Sequence, residues 1–156
     1  PNMSDSDSTS FPDSQADARL DEQLARAEEM LEDQHFDKAA DHLRKVIIEF
    51  PDSPLPHHAL SVVYLERLRR DYEHVEVWED LTDDEADFEV AVAEAEAAIQ
   101  TDENFVPARN NLGTLFALRG WWKDAIRQWE ISLTVRPDQS QIREELTRAR
   151  KQIGEE

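Results

Sequence analysis

The chain reads as an all-α protein built from stacked antiparallel helix pairs, and three observations predict this. Apolar residues recur at helical spacing along nearly the whole length. Glycine occurs only three times among 156 residues, and alanine, leucine, glutamate and arginine dominate, a composition that favours helices. The pattern also repeats. Ala91 and Ala125 stand 34 residues apart and Ala39 and Ala91 stand 52 apart, while Pro51, Glu103 and Pro137 close the units at the same two intervals. The period is therefore 34, with a surplus of 18 residues inside the second unit. A helix pair of this length cannot bury its own apolar faces and needs neighbours, so the pairs are expected to stack into a superhelix.

Taken in order, residues 1–16 are rich in Ser and Asp with little apolar content, and are expected to form a disordered tail. A single helical domain is expected over 17–154. Leu20, Leu24, Ala27, Met30 and Leu31 fall on one side of a first helix. Phe36, Ala39, Ala40, Leu43, Val46 and Ile47 do so on a second, which Pro51 ends. The first unit covers about 20–53. Asp52 or Ser53 can cap the third helix, with Pro54 in its first turn. Ala59, Leu60, Val62 to Leu65 and Leu68 make that helix apolar almost all round, so it should be the most buried.

The second unit covers about 54–105 and holds the insertion, about 67–86. Arg67, Arg69 and Arg70 lead into an acidic stretch that carries Tyr72, Val75, Val77 and Trp78. A helical extension followed by a loop suits it. Tyr72, Val77 and Trp78 either pack on the helices or form a second partner surface. Thr82 and Glu85 have capping-box spacing and announce the fourth helix. The third unit, about 106–138, carries Leu112, Leu115 and Phe116, then Gly120 at the turn, then Ala125, Ile126 and Trp129. Trp122 and Trp129 suit core packing, whereas Trp121 is the more exposed ring. Asp138 and Gln141 form another capping-box pattern before a last helix, about 139–153, whose narrow apolar stripe (Ile142, Leu146, Ala149, Ile153) suits a solvating cap.

Composition excludes several functions. With no cysteine there is no disulfide, thiolate metal site or cysteine nucleophile, a usage compatible with the cytoplasm. A net charge of −19 opposes nucleic acid and anionic membrane as partners. It reflects either a solvated acidic surface or selection for a basic partner. No run is apolar enough for a membrane span and no signal peptide is visible. The five histidines are scattered without zinc-ligand spacing, and no phosphate loop or nucleophile motif occurs. The chain is expected to be non-catalytic and to need no cofactor or metal.

A 34-residue helix–turn–helix unit closed by proline resembles the tetratricopeptide repeat. Leu112-Gly113, Phe116, Gly120, Trp122, Ala125, Trp129, Ser132 and Pro137 carry the likeness best, and it covers roughly 20–138 as three repeats plus a capping helix. In such arrays the first helices line a concave groove that holds partner segments. The resemblance therefore implies a scaffold or adaptor with groove residues Leu24, Glu28, Leu55, His58, Val62, Leu65, Asn110, Asn111 and Thr114, with Leu31, Glu32 and Glu66 beside them. Asn111 falls where members of the family use an asparagine to hold a ligand's backbone. Members that grip an acidic C-terminal carboxylate use cationic and amide side chains. The corresponding positions here hold Leu24, Glu28, Ala59, Pro107 and Asn111, of which only the last fits. The expected partner is thus a protein or peptide segment, neutral to basic and partly apolar, not an acidic C-terminal carboxylate. The alternative is a structural or self-assembling protein that uses helical faces or the 67–86 insertion. The charged capping helix favours a monomer.

Overall fold

The computed structural model describes residues 11–74 and 82–155. They form seven helices: α1 (Phe11–Glu32), α2 (Phe36–Glu49), α3 (Pro54–His74), α4 (Thr82–Thr101), α5 (Val106–Leu118), α6 (Trp122–Val135) and α7 (Ser140–Gln152). No strand occurs among the described residues. Each helix packs on the next, and α3 also touches α1 and α5. Pairs α1–α2, α3–α4 and α5–α6 thus stack with α3 at the centre, and α7 closes the end against α6.

The central position of α3 follows from its sequence. Leu60, Val63, Tyr64, Leu65 and Leu68 are all buried, because apolar residues occupy every face that meets a neighbour. They join Ala27, Phe36, Leu43, Phe88 and Ala91 in one core. A second core, with Ala125, Trp129, Leu146 and Ala149, binds α7 to the stack. Ser53 Oγ accepts the backbone N–H of Leu55 at 3.3 Å and so caps α3.

Small residues set the close approaches. A Cβ placed on Gly113 in α5 would lie 2.4 Å from Nε1 of Trp129 in α6, so only glycine admits that indole. The turns within the α1–α2 and α5–α6 pairs each contain a left-handed residue. Gly120 supplies it between α5 and α6 at φ 72°, and Gln34 adopts φ 58° at the equivalent place between α1 and α2.

Several expectations change. Helix α1 begins at Phe11, so 11–16 of the expected tail are helical. Pro12 is tolerated in a first helical turn, where no intrahelical N–H is required. Residues 1–10 lie outside the described residues. Helix α7 begins at Ser140 and its N-cap residue is Gln139, without a side-chain cap bond. The capping box expected at Asp138 does not form. Gln139 instead turns its amide back, donating to the backbone oxygens of Arg136 at 2.7 Å and Ser132 at 3.2 Å.

Within the expected insertion, 67–74 extend α3 and 82–86 open α4. These helices reach 21 and 20 residues, against 13 and 14 for α5 and α6. The base of the extension is pinned by Arg67, whose guanidinium donates to both carboxylate oxygens of Asp87, at 2.5 and 2.7 Å, and to Asp37 at 2.8 Å. Val77 and Trp78 lie outside the described residues.

Candidate functional site

Two helical stripes face each other across the α1–α3 interface. Leu24, Glu28 and Leu31 stand on α1 at i, i+4 and i+7. Leu55, His58 or Ala59, and Val62 answer them on α3 at i, i+3 or i+4, and i+7. Together they line an open recess of about 260 Å³ whose floor includes Ala27, Leu43 and Val63. The walls are apolar except for Glu28 and His58. Five of the nine expected groove residues, Leu24, Glu28, Leu55, His58 and Val62, are therefore brought together.

His58 is the unusual member. Its Nδ1 is buried without a hydrogen-bond partner among the described residues. Its ring meets Phe105 edge-on, with centroids 5.5 Å apart. Burial lowers its pKa from 6.5 to about 4, because the imidazolium would lose its hydration there. At neutral pH the recess thus holds a neutral imidazole.

Towards the α1–α2 turn the groove continues into a wider, charged recess of about 580 Å³. It shares Glu28, Leu31 and Val62 with the first and adds Glu32 of α1 and Glu66, Arg69, Arg70 and Glu73 of α3. The arginines are already engaged. Arg69 pairs with Glu66 at 2.7 Å, and Arg70 with Asp71 at 2.9 Å while lying 4.8 Å over the Phe36 ring. Among the described residues no ion pair engages Glu28, Glu32 or Glu73. The groove is therefore apolar at one end and acidic at the other.

The remaining four expected residues are placed differently. Leu65 is 4% exposed and belongs to the core. Asn111 is 7% exposed, and its amide donates to Ser61 Oγ at 2.6 Å, which in turn donates to the Ala91 carbonyl oxygen at 2.6 Å. The contact of α3 with α5 covers it, so this amide is turned inward to tie two helix pairs together. Asn110 donates to Gln139 Oε1 at 2.7 Å and accepts from Ser132 Oγ at 2.5 Å, joining α5 to α6 and the start of α7. The Thr114 hydroxyl donates to the Asn110 carbonyl oxygen at 3.1 Å. The polar ridge expected along α5 is thus a set of internal ties. The reciprocal polar residues Ser61, Ser132 and Gln139 were the signal that could have revealed this.

On the second candidate surface, Tyr72 is 38% exposed on the extension of α3. A different aromatic is more open. Trp121 is 50% exposed in the α5–α6 turn, where it rests on Phe88 at 5.4 Å and Phe116 at 5.9 Å. Trp129 is 2% exposed and Trp122 partly buried.

Among the described residues no group of three His, Asp or Glu side chains is placed to hold a metal ion. No described helix is long and apolar enough to cross a membrane.

The architecture has clear counterparts among solved structures. A thermophilic TPR protein of Thermus thermophilus, TTC0263, matches at a TM-score of 0.73 and 18% identity, covering 86% of this chain and 66% of that one. The chain has the tetratricopeptide-repeat fold. The second TPR domain of human RPAP3, in complex with the HSP70 peptide SGPTIEEVD, matches at 0.67 with 16% identity over 86% of this chain and 98% of that one. The TPR2B domain of yeast Sti1, in its pHsp70 complex, matches at 0.68 with 16% identity over the same shares. No family profile matches the sequence. No curated protein matches it either. Tetratricopeptide folds can therefore be shared at identities where sequence comparison is silent, because the fold asks for residue size at a few positions and little else. The RPAP3 domain holds a peptide that ends in EEVD, so the neighbours lend no support to an exclusion of acidic C-terminal segments.

Proposed function

We propose that this chain is a non-catalytic binding module, a scaffold or adaptor, that holds a segment of a partner protein in the groove between α1 and α3. The observation that carries this reading is the open apolar recess formed by Leu24, Leu31, Leu55 and Val62 around His58. Exposed apolar surface of this kind is stabilised by an apolar anchor from a partner. Its fold neighbours include TPR domains in complex with chaperone peptides, which is a precedent for segment binding.

We further propose that the segment is partly apolar and neutral to basic. Glu28, Glu32 and Glu73 line the groove without cationic partners among the described residues. The one amide that matched a carboxylate-gripping pattern, Asn111, is engaged by Ser61. An acidic tail laid here would meet like charge.

The test is a paired capture with the full chain and its Val62→Glu variant as baits, at low and high salt, with bound proteins identified by mass spectrometry. A partner retained by the parent, lost from Val62→Glu and weakened by salt supports the reading. A partner held equally by both baits places binding elsewhere.

A further inference from the structure

Resting on the groove reading above, we infer that the partner segment docks as an amphipathic α-helix, its apolar stripe filling the recess at Val62 and its basic flank facing Glu32 and Glu73. The argument starts from backbone hydrogen bonding. Both groove walls are α-helices, so their N–H and C=O groups are bonded within each helix and are not offered to a ligand. An extended segment needs partners for its own backbone. No side-chain amide lines the apolar recess, and the two asparagines expected to serve are committed internally, Asn111 to Ser61 and Asn110 to Gln139. Extended chain pressed into the apolar recess would therefore bury unpaired backbone groups. A helix satisfies its own backbone and presents side chains alone.

The shape and charge of the groove agree. Its α1 wall presents Leu24, Glu28 and Leu31, and its α3 wall presents Leu55, His58 and Val62, each at one-face helical spacing. Such ridged walls receive the i, i+3, i+4 and i+7 side chains of a third helix. From Leu55 to Glu73 the groove runs about 27 Å at the rise of an α-helix, the length of about 18 residues. Charge then orients the occupant. The recess by His58 carries a neutral ring and one carboxylate, and the wider recess carries the unpaired Glu32 and Glu73. The anchors belong at the first and the Lys or Arg residues at the second.

The test selects 18-residue segments from a randomised display library on the intact chain, with Leu55→Glu and Val62→Glu chains as counter-selections. Far-UV circular dichroism first checks that both variants are folded, and the exposed Leu55 serves if Val62→Glu is not. The expected result is enrichment of segments with apolar residues at i, i+3 or i+4, and i+7 and a net positive charge. A synthetic copy should gain helical ellipticity on binding. It should lose at least tenfold in affinity when its central residue is replaced by proline, and likewise when its basic residues become glutamate. Enriched segments of period two, proline-rich segments, or acidic-ended segments that still depend on Leu55 and Val62 overturn the helix while leaving the groove. Binding that ignores both variants, or no enrichment at all, overturns groove and helix together.

Discussion

Gly113 and Trp129 are fitted to each other across the α5–α6 pair: the indole occupies the space where any other residue at 113 would place its Cβ, 2.4 Å from Nε1. The indole N–H donates to the Asn110 carbonyl oxygen at 3.3 Å, so the ring is held from one side and cannot withdraw freely. The equivalent positions carry Ala27 with Leu43 in the first pair and Ser61 with Ala95 in the second. As the first partner grows from Gly to Ala to Ser, the second shrinks from Trp to Leu to Ala.

Gly113→Ala should therefore destabilise the chain, even though alanine is the better helix former. Overpacking costs about 1–3 kcal/mol, and the gain in helix propensity offsets up to about 1 kcal/mol of it. Trp129→Leu opens a cavity of its own, at about 2–4 kcal/mol. The double variant should lose less than the two single losses combined, because leucine leaves room for the new methyl group. Urea unfolding of the four proteins gives the coupling directly, and strict additivity would contradict the fit.

Gln34 holds the left-handed conformation that Gly120 holds in the third pair. A side chain there costs about 1–2 kcal/mol, and glycine returns about 0.5–1 kcal/mol as extra freedom of the unfolded chain. Gln34→Gly should thus raise stability by about 0.5–1 kcal/mol, whereas Gly120→Gln should lower it. Thermal unfolding at one salt concentration checks both signs. A Gln34→Gly chain less stable than the parent would show that the Gln34 side chain contributes more than its backbone strain removes.

His58 makes stability depend on pH. Its pKa is lowered from 6.5 to about 4 by burial, so between these values the unfolded chain takes up a proton that the folded chain refuses. The contribution is intact above pH 6.5 and is lost progressively as pH falls towards 4, reaching about 3 kcal/mol. His58→Phe removes this dependence and also the unpaired buried Nδ1. The variant should be more stable at pH 7 by about 1 kcal/mol, with a shallower decline between pH 6.5 and 4. Unfolding midpoints across that range measure the slope, and an unchanged slope would show that His58 is not its source.

Asn111→Ala separates structure from recognition. Losing the bond to Ser61 and leaving a small void should cost about 1–2 kcal/mol of stability. Affinity for a groove-bound segment should stay within about twofold, since the amide is not available to a ligand. Val62→Glu should do the opposite, with a large loss of binding and a modest change in stability. A tenfold loss of binding in a well-folded Asn111→Ala chain would return this residue to the groove.

Much of the architecture is legible in the chain. The 34-residue interval of Ala91 and Ala125, Gly113 and Gly120 at the positions of closest approach and tightest turn, and Ser53 before Pro54 each declare a local geometry that glycine, alanine or a capping hydroxyl is needed to satisfy. Leu24, Glu28, Leu55, His58 and Val62 are grouped by the family resemblance and not by any local pattern, and in the structure they line one recess. Helix limits were less legible. Polar ends such as 11–16 and 138–140 carry little apolar signal, and either conformation satisfies their backbone.

The helix pairs, their period and the small residues that let them stack follow from the chain alone, because those demands are local or recur at fixed spacing. Which polar residues of α5 turn inward depends on how one pair packs on the next. Asn111 shares the buried face of α5 with Ala108 and Leu115, and Asn110 is half-buried beside it. Their amides turn inward because Ser61 on α3, and Ser132 and Gln139 beyond α5, stand within hydrogen-bond reach. A buried amide without those partners would be costly, and with them it binds one helix pair to the next. The open recess lies instead between α1 and α3, where Leu24 and Val62 line it above Leu43 of α2.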